Sequence, residues 1–159
     1  MTSLQALAAQ VAARLQERGQ SIAVAESSAG GLINAALVAV PGASAYYIGG
    51  GIIYTGAARE ALLGIAAAQM SGMRSASEPY ARLVARRVRE RLGATWGLAE
   101  TGASGPTGNR YGDAPGHACL AVSGPVELVS SLETGSAERE ANMQRFAHAA
   151  LELLLSAMR

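Results

Sequence analysis

The sequence predicts a three-layer α/β/α fold, in which helices cover both faces of a mixed sheet of about five strands. In the first two thirds of the chain, short apolar runs that end in polar turns alternate with stretches of helical periodicity. This alternation is typical of parallel strands joined by helices. Later, the turn Ser123-Gly124-Pro125 joins two apolar runs directly, which indicates an antiparallel hairpin. The two kinds of pairing together predict a mixed sheet.

The helices are predicted from apolar side chains at helical spacing and from their start and stop residues. The first helix begins after Ser3, a typical N-cap, and ends at Gly19, a typical C-terminal stop. The others are predicted at 32–40, 57–63, 77–92 and 138–157. The inward side chains of the last two are predicted to be Tyr80, Leu83, Val84 and Val88, then Met143, Phe146, Ala150, Leu151 and Leu154.

The strands are predicted at 22–25, 46–54, 96–99, 117–122 and 126–132. In the second strand, the glycines 49–51 indicate a bulge or a close backbone approach, because glycine otherwise weakens a strand. We expect the backbone to pass close to the functional site there. Cys119 is expected to point into the core as a small hydrophobic side chain.

Composition excludes several classes of protein. A chain of 159 residues, half of them apolar, is expected to form one domain over 1–159. A formal net charge of +1 gives no field that would attract nucleic acid or a membrane, so we expect a small-molecule ligand. One cysteine excludes an internal disulfide and favours a cytoplasmic location. We also expect no targeting or membrane-spanning segment, no cofactor or metal, and a homo-oligomer.

The chain contains no lysine, since all 13 of its basic residues are arginines. Arginine stays protonated at any ordinary pH, so it can pair with and orient anions but cannot act as a general base. Mechanisms that need an amine base or a Schiff base are therefore excluded.

Polar residues gather where three predicted strands end, at 26–28, 54–55 and 100–101. In α/β sheets, ligands bind outside the carboxyl ends of the strands, so we expect one crevice there. The segment 100–115 is rich in glycine, proline, asparagine and aspartate and is longer than most connections, which favours a functional loop. Ser104 in this loop is not predicted to be a nucleophile, because proline follows where a helix should begin.

The turn Ser27-Ser28-Ala29-Gly30-Gly31 leads from a strand into a helix and has two interpretations. Its N–H groups and the helix dipole could hold a phosphate or carboxylate, or the turn could be an N-cap whose glycines allow tight packing. The spacing is neither a Walker motif nor a dinucleotide fingerprint.

Two further groups are given structural interpretations. His117 and His148 stand apart and are predicted to be packing or surface residues rather than a metal pair. The arginines of the 77–92 helix are predicted to form a solvated face rather than an RNA site, because no aromatic platform accompanies them. These arginines are Arg82, Arg86, Arg87, Arg89 and Arg91.

Four blocks of residues follow one another along the chain. They are AESSAGG at 25–31, PGASAYYIGGGIIYTGAAREALLG at 41–64, SASE at 75–78 and LAETGASGPTG at 98–108. In order and spacing these blocks resemble the C-terminal domain of CinA competence/damage-inducible proteins, over nearly the whole chain. Single-domain members of that family are nicotinamide mononucleotide amidases. The resemblance therefore implies a nucleotide ligand and hydrolysis of its carboxamide to nicotinic acid mononucleotide and ammonia, without a metal.

The resemblance also implies a set of site residues. The family's machinery is a serine nucleophile with a lysine and a tyrosine. By position, the serine falls on Ser44 and the tyrosine on Tyr54, while Arg59 takes the place of the lysine. Other positions that the family places around the substrate are Glu26, Ser27, Gly30, Gly31, Thr101, Gly102, Gly105 and Arg139.

The chain departs from the family's usual motifs in four places. AESSAGG replaces AESCTGG, YTGAAR loses the lysine, Glu100 stands where a small or apolar residue is usual, and Met143 replaces an arginine. Glu100 is a possible compensating carboxylate: one hypothesis pairs it with Arg59, and the other leaves it exposed and unrelated to Arg59. Two functions stay open. One is an amidohydrolase in which Ser44 attacks and Glu100, Glu26 or a water takes the proton. The other is a catalytically silent relative that binds a nucleotide or serves in assembly.

Overall fold

The computed structural model describes residues 1–159 and contains five helices and five strands in the predicted order. The helices are α1 Leu4–Arg18, α2 Leu32–Val38, α3 Gly56–Leu63, α4 Glu78–Leu92 and α5 Arg139–Ala157. The strands are β1 Ile22–Glu26, β2 Tyr47–Ile52, β3 Trp96–Ala103, β4 His117–Ser123 and β5 Leu128–Glu133. Single 3₁₀ turns lie at Ala43–Ala45 and Ala67–Met70. None of the helices has both the length and the apolar character needed to cross a membrane.

The five strands form one mixed sheet in the order β2-β1-β3-β4-β5. β1 runs parallel to both β2 and β3, whereas β3, β4 and β5 are antiparallel neighbours. The parallel pairing of β1 with β3 ends at Ala25 opposite Ala99, but β3 continues to Ala103 along β4. The carboxyl ends of β1, β2 and β3 therefore lie side by side at the same end of the sheet.

Helices cover both faces of the sheet, which confirms the predicted three-layer α/β/α architecture. Side chains alternate along each strand, so Val24 and Leu98 join the core beneath α1, α2 and α5. Ala25 and Ala99 face the other side and pack against α4. A Cβ at Gly97 would lie 2.2 Å from the Ala85 carbonyl oxygen, so the backbones of β3 and α4 are in direct contact.

The predicted ends of α1 and α4 are confirmed by their caps. The Ser3 hydroxyl accepts a hydrogen bond from the Ala6 N–H, and Gly19 ends α1 in the left-handed conformation, with φ of 63°. Ser77 caps α4 in the same way, and Gly93 ends it. These local signals lie within one helical turn and do not depend on the rest of the fold.

Two strand predictions need correction. β3 extends four residues beyond its predicted end, because β4 provides a pairing partner for residues 100–103. The close backbone approach predicted at the glycines of β2 is confirmed, but the neighbour is β1 and not the functional site. A Cβ on Gly50 would lie 1.9 Å from the Val24 carbonyl oxygen, so this glycine permits close packing of β2 on β1.

The arginine face of α4 is occupied in large part by contacts within the chain. Arg86 forms two hydrogen bonds with the Glu127 carboxylate, at 2.9 and 2.7 Å. Arg87 donates to the carbonyl oxygens of Leu63 and Gly64, and Arg89 donates to that of Thr95. These contacts fix the ends of neighbouring segments, in keeping with the structural interpretation of this face.

Candidate functional site

A cavity of about 640 Å³ opens at the carboxyl ends of β1, β2 and β3. Its walls are the β1–α2 turn, the start of α3, the segment before α4 and the loop after β3. Ser27, Tyr54 and Thr101, one from each of the three predicted strand ends, all line it. The crevice is therefore where the sequence predicts it, because parallel strands end at the same edge of the sheet.

The charge of the cavity wall is positive. Four arginines line it, namely Arg59, Arg74, Arg110 and Arg139, and no aspartate or glutamate does. Arg74 is neutralised by Asp113, whose carboxylate oxygen lies 2.7 Å from the guanidinium. The other three form no ion pair within the chain, so the cavity is suited to an anionic ligand.

The guanidinium of Arg59 lacks part of its hydrogen bonding. Its Nε is buried and has no hydrogen-bond partner. Its Nη1 lies 3.5 Å from the Ser75 hydroxyl oxygen, and its guanidinium stands 5.6 Å from the centre of the Tyr80 ring. A buried polar atom without a partner costs free energy, which a ligand acceptor would recover.

The hypothesis that pairs Glu100 with Arg59 is wrong, and the other is right only in that Glu100 has no link to Arg59, because the side chain is not exposed. Glu100 is only 1% exposed, and it makes no ion pair with Arg59. The reason is the alternation of side chains along β3. Glu100 shares its face with Leu98, whereas Thr101 faces the α4 side, where its hydroxyl accepts from the Ala76 N–H at 3.1 Å. Arg59 lies on that α4 side, beside Tyr80.

The Glu100 carboxylate binds the turn that follows β1. Its Oε1 accepts from the N–H groups of Ser27, at 2.9 Å, and Ala29, at 2.8 Å. Its Oε2 accepts a hydrogen bond from the hydroxyl of Ser28. Burial raises the pKa of Glu100, and the three hydrogen bonds offset this shift only in part. The negative charge of the neighbouring Glu26 raises it further.

Glu26 occupies the N–H groups that begin α2. Its carboxylate accepts from the backbone N–H groups of Gly31, Ile33 and Asn34, and from the Asn34 side chain at 2.7 Å. Burial is the main cause that raises the pKa of Glu26. Of the two interpretations of the turn at 27–31, the structure therefore favours the structural one, because the carboxylates of Glu26 and Glu100 already accept from its N–H groups. Neither Glu26 nor Gly30 nor Gly31 lines the cavity.

Ser44 lies away from the cavity, at the other end of the sheet. It is exposed in the 3₁₀ turn before β2, whereas Tyr54 follows β2. At about 3.3 Å per residue, the intervening strand and its flanks span roughly 20 Å or more. Within one chain, Ser44 therefore cannot act together with Tyr54 and Arg59, contrary to the arrangement expected from the sequence.

Tyr54 and Arg139 meet at the mouth of the cavity. Arg139 Nη2 donates to the Tyr54 hydroxyl at 3.1 Å, and Nη1 donates to the Gly105 carbonyl oxygen. The start of α5 is thus joined to the segment after β2 and to the loop after β3. Of the predicted site residues, the cavity brings together Ser27, Tyr54, Arg59, Thr101, Gly102, Gly105 and Arg139.

The loop from 104 to 116 is anchored at both ends. Asn142 donates its side-chain N–H to the Ser104 carbonyl oxygen at 2.8 Å, and Arg74 binds Asp113. His117 is a packing residue, as predicted: its Nε2 lies 2.7 Å from the Ala76 carbonyl oxygen, and its Nδ1 contacts Glu133. Burial lowers the pKa of His117, but the hydrogen bonds and the nearby carboxylates outweigh this and raise it.

Several cavity residues escaped sequence reasoning. Tyr80 of α4 is buried in the core, as its helical spacing predicts, but its place on the cavity wall was not predicted. Ser28 stands inside a recognised motif, but nothing in the sequence showed that its hydroxyl would meet Glu100. Arg110 and Tyr111 lie in the long loop, whose length and composition were the only signal of their role.

Comparisons with known proteins identify relatives over nearly the whole chain. A model of the CinA C-terminal domain family matches residues 4–158. A CinA-like protein of Anaeromyxobacter sp. (strain K) is 38% identical over 149 residues, 94% of this chain and 36% of the relative. One of Synechococcus sp. (strain CC9902) is 44% identical over 118 residues, 74% of this chain and 28% of the relative. The chain thus spans about a third of the length of these curated relatives.

Solved structures share the fold along their whole length. The competence/damage inducible protein CihA from Agrobacterium tumefaciens superposes with a TM-score of 0.92 at 26% identity, covering 100% of this chain and 98% of that one. A competence-damaged protein (CinA) superfamily protein from Enterobacter cloacae gives 0.92 at 25% identity, covering 100% and 94%. The match of the family model over residues 4–158 shows that the chain belongs to the CinA C-terminal domain family.

Proposed function

We propose that this protein binds nicotinamide mononucleotide in the cavity and hydrolyses its carboxamide to nicotinic acid mononucleotide and ammonia. The observation that carries the proposal is Arg59, whose buried Nε has no partner in a cavity lined by arginines and free of acidic side chains. The reaction itself is supported by membership of the CinA family and by the resemblance of the sequence to its amidase members.

The nucleotide phosphate is assigned to the corner of the cavity formed by Arg59 and the start of α3. Thr55, the N-cap of this helix, and Gly56, its first residue, line the same wall. A helix N-terminus presents N–H donors to an anion, and a guanidinium adds a charged, two-pronged donor. The two features favour a phosphate more strongly than either does alone.

The pyridine ring requires a flat surface, and the cavity offers aromatic side chains. Tyr54 is 59% exposed at the mouth, with its hydroxyl held by Arg139. An aromatic face attracts a cation, and the pyridine ring of this nucleotide is cationic. We therefore assign the phosphate to the Arg59 wall and the ring to the Tyr54 side.

A second candidate is a nucleotide-binding protein without turnover. Two observations favour it: the chain has no lysine, and Ser44 lies outside the cavity. Under this alternative the nucleotide binds through Arg59 in the same way, but no ammonia is released.

The two candidates are separated by measuring binding and turnover on the same samples. Calorimetry with nicotinamide mononucleotide reports binding, and release of ammonia with nicotinic acid mononucleotide reports turnover. Loss of one charged hydrogen-bond donor costs about 1.5–3 kcal/mol, so Arg59→Ala should weaken binding about 10- to 100-fold. Arg145→Ala, which removes an exposed arginine of α5, is the matched control and should bind like the wild type.

Arg59→Lys tests what the loss of the family's lysine means. Turnover by the wild type supports the amidase, whereas turnover that appears only in Arg59→Lys supports a silent relative that has lost its base. Binding without turnover in either protein favours the second candidate. Failure of the wild type to bind the nucleotide would reject both.

The predicted homo-oligomer is part of the proposal. β2 lies at the edge of the sheet and exposes Ile48 and Ile52, each 46% accessible. Light scattering of the purified chain measures its mass in solution, and a monomer at micromolar concentration would contradict this expectation.

A further inference from the structure

The contact between Ser28 and Glu100 joins a hydroxyl on the cavity wall to a carboxylate that is buried behind it. Ser28 lines the cavity and is 5% exposed, and its hydroxyl donates to Oε2 of Glu100. The fold brings the two residues together from positions 72 residues apart.

We propose, on the basis of the amidase function proposed above, that Ser28 is the nucleophile of this site and Glu100 its general base. A nucleophilic serine needs an adjacent base to take its proton as it attacks. Glu100 supplies that base in a chain that has no lysine, and from the side of β3 that faces away from Arg59.

Ser28 is distinguished from the other serines of the cavity by its partner. Ser27, Ser75 and Ser104 also line the wall, but none of their hydroxyls bonds to a carboxylate. Ser44 has no carboxylate partner either, and it lies outside the cavity. Ser28 is therefore the one serine here with both access to a ligand and a group that can accept its proton.

The two carboxylate oxygens of Glu100 have different hydrogen-bond partners. Oε1 accepts from two backbone N–H groups, which orient the carboxylate so that Oε2 faces the Ser28 hydroxyl. No arginine pairs with Glu100 to keep its proton affinity low. Burial raises the pKa of Glu100, and a carboxylate with a raised pKa is a better base near neutral pH.

The reaction is balanced with water as the only co-reactant. The Ser28 oxygen bonds to the carboxamide carbon as its proton passes to Glu100. That proton then passes to the leaving nitrogen as the carbon–nitrogen bond breaks, which releases ammonia and leaves an ester on Ser28. Water attacks the ester carbon and gives its proton to Glu100. The ester bond breaks, the Ser28 oxygen regains a proton, and the carboxylate product leaves.

A fluorophosphonate probe tests the nucleophile without relying on the nucleotide. An activated serine attacks the phosphorus, fluoride leaves, and the serine proton passes to the base. Mass spectrometry of an arginine-specific digest locates the adduct. Because no arginine lies between Arg18 and Arg59, Ser27, Ser28 and Ser44 fall in one peptide, and fragmentation of that peptide must assign the site.

We expect the adduct on Ser28 in the wild type and in the control Ser44→Ala, and no adduct at this site in Ser28→Ala. Glu100→Gln retains an oxygen for the two backbone N–H groups but cannot take a proton. It should slow labelling at least about 100-fold, the usual contribution of a general base. Circular dichroism checks that each variant is folded. If Glu100→Gln does not fold, the wild-type labelling rate must still rise with pH as the carboxylate ionises.

Labelling of Ser28 no faster than that of Ser44 overturns the proposal, and so does a folded Glu100→Gln that is labelled at the wild-type rate. Turnover of nicotinamide mononucleotide, measured on the same variants, distinguishes failure of the Ser28 proposal from failure of the proposed amidase activity. Turnover that persists in Ser28→Ala rejects the nucleophile and keeps the amidase. If Ser28 is labelled but the wild type does not turn over the nucleotide, Ser28 is supported as a nucleophile and nicotinamide mononucleotide is rejected as its substrate.

Discussion

Replacing Gly50 by alanine should destabilise the fold, although the change adds only one methyl group. The new Cβ would lie 1.9 Å from the Val24 carbonyl oxygen and 2.8 Å from its carbonyl carbon. Both are backbone atoms of β1, so no side-chain rotation can relieve the clash. Gly51→Ala is the matched control in the same strand, because its Cβ would meet only the ends of Ile53 and Leu62, at 3.6 and 3.8 Å.

The expected loss of unfolding free energy follows from how far β2 must move to relieve the clash. To bring the contact from 1.9 Å to the 3.0 Å that real Cβ atoms respect, β2 must move away from β1. Overpacking costs about 1–3 kcal/mol, and each strained ladder hydrogen bond adds about 1 kcal/mol. We expect Gly50→Ala to lower the free energy of unfolding by about 3 kcal/mol or more. Gly51→Ala should be neutral or add up to about 1 kcal/mol, since alanine restricts the unfolded chain.

Urea and thermal unfolding followed by circular dichroism measure both variants. For a domain of this size, 1 kcal/mol shifts the melting temperature by about 2–4 °C, so Gly50→Ala should melt about 6–12 °C lower. A Gly50→Ala protein within about 0.5 kcal/mol of Gly51→Ala would refute the reasoning. That result would mean that β2 does not pack on β1 as closely as described.

Three further predictions concern the polar contacts that hold the site. His117 has a raised pKa in the folded chain, so its stabilising contribution is complete below about pH 6.5 and is lost as the pH rises through the folded value. His117→Gln should therefore lower the urea midpoint more at pH 6 than at pH 8; an equal loss at both would contradict this. Glu26→Gln leaves a buried N–H donor unpaired and should cost about 1–3 kcal/mol in urea unfolding, whereas the exposed control Glu17→Gln should cost almost nothing. Arg74→Ala removes an anchor of the long loop and should speed amide hydrogen exchange at 109–113 while leaving the core strands unchanged, and unaltered exchange in the loop would show that other contacts suffice.

Arg59 has a different meaning in the structure than in the sequence. In the sequence, the resemblance to the CinA family implies that Arg59 takes the place of a lysine base, and arginine cannot act as a base. In the fold, it is an unpaired cation on the wall of a cavity without acids, which suits it to bind an anion. The base in our proposal comes instead from Glu100, on the other face of the sheet.

The sequence alone determined the features that depend on neighbours along the chain. Ser3 and Gly19 mark the ends of α1 because capping involves groups within one turn, and the turn at 123–125 predicts its hairpin for the same reason. The position of the crevice also followed from the sequence, since the ends of parallel strands must meet. The motif blocks predicted the family for a similar reason, because they are runs of neighbouring residues.

Only the tertiary structure decided which side chains share a site. Ser44 and Tyr54 are close in the sequence, but β2 lies between them and carries them to opposite ends of the sheet. Glu100 and Thr101 are adjacent, yet the alternation along β3 sends one to Ser28 and the other to the α4 side. These partners come from distant segments, and their meeting depends on strand register and sheet order, which no local pattern in the chain encodes.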